Sequence, residues 1–182
     1  HKFSSYSIPT SVTSIGNSAF YHCSNLESIT IPINLTSIGD FAFYECQNLQ
    51  SITIPTSVTS IGDFVFYECQ HLQSITIPIS VTSIGDSAFT GCSNLQSIEV
   101  QSSNLNYASR DGILFTNDFE SLVCFPASHQ FSTYSIPTSA TSIGNFAFSN
   151  CSKLESITIS VSVISIGHFA FHCCSNLQSI TI

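Results

Sequence analysis

Cysteine and histidine are the side chains of this sequence with the widest chemical range, and they cluster near its C-terminus. His168 and His172 are spaced i, i+4 and are followed by the adjacent thiols of Cys173 and Cys174. Nitrogen and sulfur ligands of this kind hold zinc when four of them converge in tetrahedral geometry. Each histidine, however, only replaces a residue that recurs elsewhere as Asp or Tyr, so we expect no metal site.

The cysteines themselves follow a pattern. Six of the eight occupy one fixed position of a repeating unit: Cys23, Cys46, Cys69, Cys92, Cys151 and Cys174. Identical inward positions are typical of small apolar side chains that pack against the next unit, rather than of metal ligands or disulfides. Cys124 and Cys173 lie outside this position, and we expect them to be the more reactive thiols.

A column of carboxylates offers a second chemical possibility. Asp40, Asp63 and Asp86 recur at one repeat position, and stacked carboxylates could bind calcium, which takes several oxygen ligands. The same position holds Asn17 and Asn145. Asp and Asn are also favoured helix N-caps, so the pattern favours the capping interpretation.

Composition narrows the remaining functions. No serine, histidine and acid recur together as a nucleophile with its base, so we expect no enzyme, no catalytic residue and no cofactor. Three basic residues against eleven acidic ones give a net charge of −8, which opposes binding to nucleic acid. The sequence also lacks an apolar run long enough to insert into a membrane.

The elements that position these residues are repeats. The segment from Ser51 to Gln73 starts again at Ser74, and equivalent isoleucine or valine residues are 23 apart except between Val100 and Ile136, which are 36 apart. One repeat plus 13 inserted residues explains that gap, since 36 − 23 = 13. A fixed period in the twenties indicates a solenoid, in which each turn covers its neighbour.

Each repeat combines strand and turn signals. Ile52 and Ile54 alternate with Ser51 and Thr53, which predicts a strand with one buried face. Residues 63–69 begin with an N-cap residue, which predicts a short helical turn. The sequence therefore predicts an α/β solenoid with a parallel β-sheet.

The insert covers residues 104–127 and separates repeats 1–103 from repeats 128–182. Its two apolar runs flank Thr116, Asn117 and Asp118, which predicts a β-hairpin. We expect this hairpin to display four side chains for binding: Tyr107, Arg110, Phe119 and Glu120. A repeat array is one continuous body, so we expect residues 1–182 to form a single domain. Because no polar capping repeat is present, we also expect this domain to be a fragment of a longer array.

The repeat resembles a known family. Its pattern, L-x-x-I-x-I-P-x-x-V-x-x-I-G-x-x-A-F-x-x-C-x-x-L, and the insert segment YASRDGILF at 107–115 resemble the BspA-like leucine-rich repeat. The resemblance implies a right-handed leucine-rich-repeat superhelix in a bacterial or protozoan protein that is secreted or on the cell surface. It also implies adhesion to host proteins, extracellular matrix or other cells, and it brings no catalytic residues.

Two surfaces are candidates for binding a protein ligand. The outward strand positions form a polar ladder: Ser28, Thr30, Ser51, Thr53, Ser74, Thr76, Ser97, Glu99, Ser156 and Thr158. On the predicted turns, Phe41, Phe64, Phe146 and Phe169 could form an apolar stripe for partners or self-association, or could simply pack between turns. Self-association through uncapped ends is a further expectation.

The function expected from these features is a non-enzymatic protein-binding module. A structural spacer that holds other domains away from a surface is the alternative. Binding to ice through the threonine ladder is less favoured, because a twisted sheet interrupted at Glu99 and by the insert is a poor flat template.

Overall fold

The computed structural model describes residues 3–182 and shows a β-solenoid of about eight turns with a repeat of about 23 residues. Turns 1 to 8 each begin with one strand, in order β1 (Ser5–Ser7), β3 (Ser28–Thr30), β5 (Ser51–Ile52), β7 (Ser74–Ile77), β9 (Ser97–Val100), β13 (Thr133–Ser135), β15 (Ser156–Thr158) and β17 (Ser179–Thr181). A shorter second strand follows in most turns: β2 (Ser14–Ile15), β4 (Ser37–Ile38), β6 (Ser60–Ile61), β8 (Ser83–Ile84), β14 (Ser142–Ile143) and β16 (Ser165–Ile166). The insert supplies β10 (Tyr107–Arg110), β11 (Ile113–Thr116) and β12 (Ser121–Cys124).

Strands of successive turns pair in parallel, which confirms the predicted sheet. The first strands form the groups β1-β3-β5, β7-β9 and β13-β15-β17, and the second strands form β2-β4-β6-β8 and β12-β14-β16. Equivalent residues lie opposite one another, as in Ser28 with Ser51 and Ile38 with Ile61. The sequence period therefore sets the register directly.

The core between the two columns of strands is a set of side-chain ladders. Phe43, Phe66 and Phe148 are fully buried, and their rings stack on those of the neighbouring turns. Ring centroids are 5.2 Å apart for Phe20 with Phe43 and 5.1 Å for Phe148 with Phe171. Stacked rings at this spacing supply apolar burial and favourable ring contacts in every turn.

The predicted helical turn is wrong: residues 3–182 contain no helix. The segment forms an arc, residues 40–46 and their equivalents, in which alternate amides donate to the next turn. Phe41, Phe43 and Glu45 donate to carbonyls of the following arc at 2.7–2.9 Å, whereas Ala42 and Tyr44 donate three residues back. An α-helix needs its amides for bonds to residue i−4, so this sharing precludes one.

Left-handed backbone makes the arc. Phe41 and Glu45 have φ values of 58° and 54°, and equivalent residues in the other arcs have similar values. A non-glycine residue in this region is uncommon, and two of them four residues apart turn every second amide towards the next turn. The inter-turn bonds stabilise a conformation that the isolated segment would avoid.

The Asp and Asn column is an inter-turn ladder and not a set of helix N-caps, which corrects the capping interpretation. The Asp63 amide donates to Oδ1 of Asp40 at 2.9 Å, and the Asp86 amide donates to Oδ1 of Asp63 at 2.8 Å. His168 donates its own amide to Oδ1 of Asn145 at 2.8 Å. Asp and Asn alternate freely here because the bond needs only one side-chain oxygen.

Glycine precedes this ladder because neighbouring turns approach closely. A Cβ added at Gly62 would lie 2.6 Å from the Asp40 backbone nitrogen and in contact with Asp40 Oδ1. We expect Gly62→Ala to lower the free energy of unfolding by about 2 kcal/mol, as overpacking does. Urea denaturation measures this loss.

Gly16 provides the matched control for that substitution. It occupies the same repeat position in turn 1, but a Cβ added there would meet nothing within 4 Å. We expect Gly16→Ala to change the free energy of unfolding by no more than about 0.5 kcal/mol. Equal losses for the two variants would contradict the close-approach explanation.

The insert is part of the solenoid wall and contains two hairpins. The predicted hairpin around residues 117–120 is present as β11 antiparallel to β12. A second hairpin joins β10 to β11 through Asp111 and Gly112, with φ values of 55° and 77°, as a type I′ turn requires. Strand β12 then pairs in parallel with β14, so it serves as the second strand of turn 5.

The insert also fills the core on both of its sides. Leu114 packs in the hydrophobic cluster of turns 1–5, whereas Ile113, Phe115 and Leu122 pack in the cluster of the later turns. All four side chains are fully buried. The insert therefore contributes core residues in addition to the side chains it was expected to display, which was not predicted from the sequence.

Candidate functional site

The polar strand face predicted from the sequence is present, and its residues stand in register. Ser28 lies opposite Ser51, Ser74 opposite Ser97 and Thr76 opposite Glu99. Most members of the ladder are exposed, while Ser97 and Ser156 are half-buried. Thr158 and Thr181 hydroxyl oxygens are 3.2 Å apart, so adjacent rungs can share a hydrogen bond. Thr53 lies just beyond the end of β5, and Thr30 ends β3.

The strand face meets the insert at β9. The Ile98 amide donates to the Gly112 carbonyl at 2.8 Å, and the Val100 amide donates to Ser109 Oγ at 3.0 Å. The Ser109 hydroxyl in turn lies 3.4 Å from Glu99 Oε2. The tip of the first hairpin therefore occupies the edge of β9, and Glu99 stands at the boundary between ladder and insert.

A groove of about 520 Å³ opens at this boundary, and we call it the insert groove. Its lining residues are Gln96, Ser97, Glu99, Asp111, Gly112, Ser128, His129, Gln130 and Lys153. Lys153 Nζ donates to Ser128 Oγ at 2.9 Å and to the Ser128 carbonyl at 3.3 Å. The groove is thus lined by the two carboxylates of Glu99 and Asp111 and by one cation that Ser128 holds in place, on a chain with only three basic residues.

His129 forms the floor of the insert groove. Its side chain is 2% exposed, and Nε2 lies 2.7 Å from the Asp111 carbonyl oxygen, while Nδ1 lies 3.2 Å from the Phe131 amide. A carbonyl only accepts and an amide only donates, so Nε2 carries the proton and Nδ1 is the acceptor. The ring thereby ties the hairpin tip to turn 6. Its equivalent, His1, lies outside the described residues.

The four predicted insert residues do not share one environment. Arg110 is exposed, with its guanidinium carbon 4.3 Å from the Phe119 ring centroid, a cation–π arrangement. Phe119 is half-buried against Phe115, at 5.5 Å between centroids. Glu120 has an exposed side chain, and its carbonyl accepts the Thr141 amide at 2.8 Å.

Tyr107 is not displayed, which corrects the expectation. Its hydroxyl accepts the Ile84 amide at 2.9 Å, and the ring packs against the first hydrophobic cluster. Burial raises the pKa of the Tyr107 phenol, and the bond from Ile84 opposes that rise. Tyr107 is therefore a structural residue that joins the insert to turn 4.

These features match one protein family along nearly the whole chain. The family model of the BspA type leucine rich repeat region matches residues 1–111 and 121–182, with six copies. The chain belongs to the BspA-type leucine-rich repeat family. The unmatched residues, 112–120, comprise Gly112, strand β11 and the turn that leads to β12.

Solved structures of bacterial proteins are similar to this BspA-type chain. They include the pneumococcal vaccine antigen PcpA, with 26% identity and a TM-score of 0.80, covering 98% of this chain and 50% of that one. A leucine-rich repeat protein from Eubacterium ventriosum has 27% identity and a TM-score of 0.77, covering 98% and 59%. A leucine rich cell surface protein from Faecalibacterium prausnitzii has 28% identity and a TM-score of 0.67, covering 98% and 60%.

The BspA-type chain thus spans half to three fifths of the length of these three proteins. No curated protein matches it. Among residues 3–182, no helix is long and apolar enough to cross a membrane. The same residues contain no group of three His, Cys, Asp or Glu side chains placed to hold a metal ion.

The cysteine ladder of the BspA-type repeats uses its thiols as hydrogen-bond donors. Cys46 Sγ donates to the Phe20 carbonyl at 3.1 Å, and Cys69 Sγ donates to the Phe43 carbonyl at 3.2 Å. Burial raises the pKa of Cys46 to about 12. Burial raises the pKa of Cys124 to about 12 as well. This disfavours the thiolate that reaction needs, so we expect the half-buried Cys124 to react more slowly than Cys173.

Cys173 is the one cysteine whose side chain is exposed. Its Sγ lies 3.6 Å from His172 Nε2. We expect a thiol reagent at pH 8 to modify one equivalent per folded chain, and eight after denaturation, since all eight cysteines are free. Ellman titration counts them.

The Cys173→Ser variant is the control for the thiol titration. It should leave the folded chain with no fast-reacting thiol. Rapid modification of a second equivalent in the folded chain would contradict the prediction that Cys173 is the one fast-reacting thiol.

The aromatic residues of the arcs stack between turns. Phe41 and Phe64 centroids are 5.1 Å apart with the rings 4° from parallel, and Tyr44 stacks on Tyr67 at 4.7 Å. Both phenylalanines remain half-buried. Packing between turns is therefore present, and the exposed edges form the Phe41/Phe64 stripe. Phe169, at the C-terminal end, is 64% exposed.

Proposed function

We propose that this BspA-type chain is a non-enzymatic protein-binding module of a cell-surface or secreted protein, and that it binds a host, matrix or other cell-surface protein. The observation that carries the proposal is the insert groove, where the regular strand face is interrupted by the carboxylates of Glu99 and Asp111 and by Lys153, which bonds to Ser128. A recessed and charged break in an otherwise uniform surface gives a partner a defined position to recognise.

The strand face supports the same conclusion. Its exposed serine and threonine hydroxyls are held in register by the sheet, so little conformational entropy is lost when they bind. The face has no tryptophan, and hydroxyl contacts alone are weak because binding hot spots favour Trp, Tyr and Arg. We infer that contacts spread along several turns contribute together, with the insert groove at their centre.

Arg110 extends the binding surface beyond the insert groove. It precedes Asp111 in the first hairpin, and the Phe119 ring holds its guanidinium at 4.3 Å. A guanidinium restrained on an aromatic face loses less entropy on binding a carboxylate. Arg110 is therefore the side chain of the insert best placed to contact an acidic group of the partner.

The relatives support the proposed location. One similar protein is named as a leucine rich cell surface protein and another as a vaccine antigen. Because this chain covers only 50–60% of those proteins, their names support a surface or secreted location as a proposal. Residues 1–182 are proposed to act as one domain.

The test is equilibrium binding to a panel of extracellular-matrix and plasma proteins. We expect the intact chain to bind at least one member saturably. The double variant Glu99→Ala, Lys153→Ala should bind about tenfold more weakly, which corresponds to about 1.4 kcal/mol. Glu27→Ala, an exposed acid before β3, is the matched control and should retain full affinity.

Two outcomes would contradict the proposal. Equal binding by the intact chain and the double variant would remove the insert groove from the binding surface. Failure of the folded chain to bind any panel member would favour the structural spacer instead.

A further inference from the structure

A second site lies on the opposite side of the insert, where turn 5 omits part of its arc. Phe66 follows Ile61 by five positions in turn 3, but Phe125 follows Leu122 by only three positions in turn 5. The two pairs are equivalent because Leu122 pairs with Ile143 in the sheet and the Phe125 ring stacks on that of Phe148 at 5.1 Å. Turn 5 therefore lacks two arc residues, since 5 − 3 = 2.

A cavity of about 220 Å³ occupies the place of those residues. Its walls include Asp86 and Ser87 from the arc of turn 4, Asn145 and Phe146 from the arc of turn 6, and Tyr107 and Cys124 from the insert. Asn145 Nδ2 reaches across the gap and donates to Asp86 Oδ2 at 3.1 Å. At ~30 Å³ per water the volume corresponds to roughly seven waters, which is space for a two-residue peptide unit.

The polar groups of turn 4 that face this cavity correspond to groups that, in other turns, form hydrogen bonds with the backbone of the following turn. In turn 4, the Asp86 amide donates to Asp63 Oδ1 at 2.8 Å, and the Asp86 carbonyl accepts the Phe64 amide at 2.9 Å. Asp86 thus forms two backbone hydrogen bonds with turn 3, one through its N–H and one through its C=O. Turn 5 has no residue in that position.

Turn 4 consequently keeps an unused acceptor, Asp86 Oδ1, and unused donors that include the amide and the hydroxyl of Ser87. Among residues 3–182, Asp86 Oδ1 receives no amide and the Ser87 amide has no acceptor. The Ser87 side chain is 8% exposed, and its Oγ is the one buried side-chain oxygen or nitrogen of these residues without a hydrogen-bond partner. A buried hydroxyl left unpaired costs free energy, and a ligand with an acceptor would recover it.

We propose that this cavity binds a short peptide main-chain unit, in which the N–H and C=O of a single residue replace those of the missing arc residue. The N–H donates to Asp86 Oδ1, and the C=O accepts from the Ser87 amide or hydroxyl. The carboxylate of Asp86 disfavours an anion, so the peptide unit is neutral and internal or capped. This site is independent of the proposed protein-binding surface.

The probe for the site is N-acetylglycine N-methylamide, which presents the N–H and C=O of one glycine residue. We expect its titration into the intact, ¹⁵N-labelled chain to shift the Ser87 amide resonance saturably. N-acetylglucosamine, whose N–H and C=O belong to one amide group, should leave that resonance unshifted, which distinguishes a peptide unit from an acetylated sugar.

Two variants and a matched control make the test specific. Asp86→Ala should weaken probe binding about tenfold by removing a charge-assisted hydrogen bond. Ser87→Phe installs the residue found at the equivalent Phe41 and Phe64, where the backbone has the same left-handed φ, and should abolish binding by filling the cavity. Ser18→Ala, at the exposed equivalent in turn 1, should leave binding unchanged.

Ser87→Ala is the further variant should Ser87→Phe fail to fold, and it should weaken binding through loss of the hydroxyl. A Ser87 amide that does not respond to the peptide probe would overturn the proposal. Undiminished binding by Asp86→Ala would also overturn it. If the Ser87 amide responds to N-acetylglucosamine but not to the peptide probe, the ligand is an acetylated sugar. That result would also overturn the proposal.

Discussion

Replacing Phe115 with alanine is expected to lower the free energy of unfolding by about 3–5 kcal/mol, the usual cost of removing a buried phenylalanine ring. Phe115 lies in β11, is fully buried, and packs in the hydrophobic cluster of the later turns. Its strand partners are Ala108 in β10 and Leu122 in β12. The ring therefore anchors the central strand of the insert in the core of the later turns, and urea denaturation should show the loss.

Phe119 is the matched control for that substitution. It belongs to the same insert, but its ring is half-buried. We expect Phe119→Ala to cost about 1 kcal/mol, including the loss of its contact with Arg110. A cost below about 1 kcal/mol for Phe115→Ala would mean that the insert is a separate projection and not part of the core.

Replacing Asn104 with alanine is expected to cost about 3 kcal/mol. Asn104 is 3% exposed, and its Nδ2 donates to the Pro78 carbonyl at 2.7 Å and the Val81 carbonyl at 3.0 Å. Its Oδ1 accepts the amides of Asn106 and Tyr107, both at 2.8 Å. Alanine would leave the buried Val81 carbonyl and the amides of Asn106 and Tyr107 without these bonds, at about 1–3 kcal/mol for each group that is buried.

The neighbouring Asn106 gives the control for this prediction. Its side chain is exposed, so Asn106→Ala should change the free energy of unfolding by less than about 0.5 kcal/mol. Thermal unfolding of both variants under one buffer condition compares them. Similar losses for the two variants would show that the Asn104 network does not fasten the insert to turn 4.

The repeat made most of the fold predictable. A spacing of 23 fixed the strand register, and alternation within Ser51–Ile54 fixed which side chains face the core, because inward positions must match from turn to turn. The structure confirms both. The family resemblance identified from the same residues is confirmed by the family match.

The arc could not be predicted from local signals. Asp63 before an apolar segment is a favourable helix start in isolation, but its side chain and backbone bond to neighbouring turns instead. Such bonds join residues 23 apart, which local propensity does not weigh. Phenylalanine at a left-handed position, as in Phe41 and Phe64, also has no sequence signal.

The insert was predictable in part. The hairpin around residues 117–120 followed from its flanking apolar runs, whereas the Asp111-Gly112 turn was overlooked although this dipeptide is a strong hairpin signal. The burial of Tyr107 and Asn104 depends on their contacts with turn 4. Those contacts join residues 23 and 26 apart in the sequence, which no local sequence signal relates.

The candidate site, like the insert, was predicted only in part. The polar ladder followed from strand alternation, and Glu99 was within it. Lys153, Asp111 and His129 were missed, because they come from three different segments that meet only in the folded chain. No spacing in the sequence relates them.

The measurement that tests the proposed function most directly is the affinity of the folded chain for a panel of matrix and plasma proteins, with one variant for each surface. Glu99→Ala, Lys153→Ala alters the insert groove, Phe64→Ser alters the Phe41/Phe64 stripe, and Glu27→Ala is the control. We expect saturable binding that only the groove variant weakens, by about tenfold. Loss of binding in Phe64→Ser alone, or no binding by the intact chain, would contradict the account.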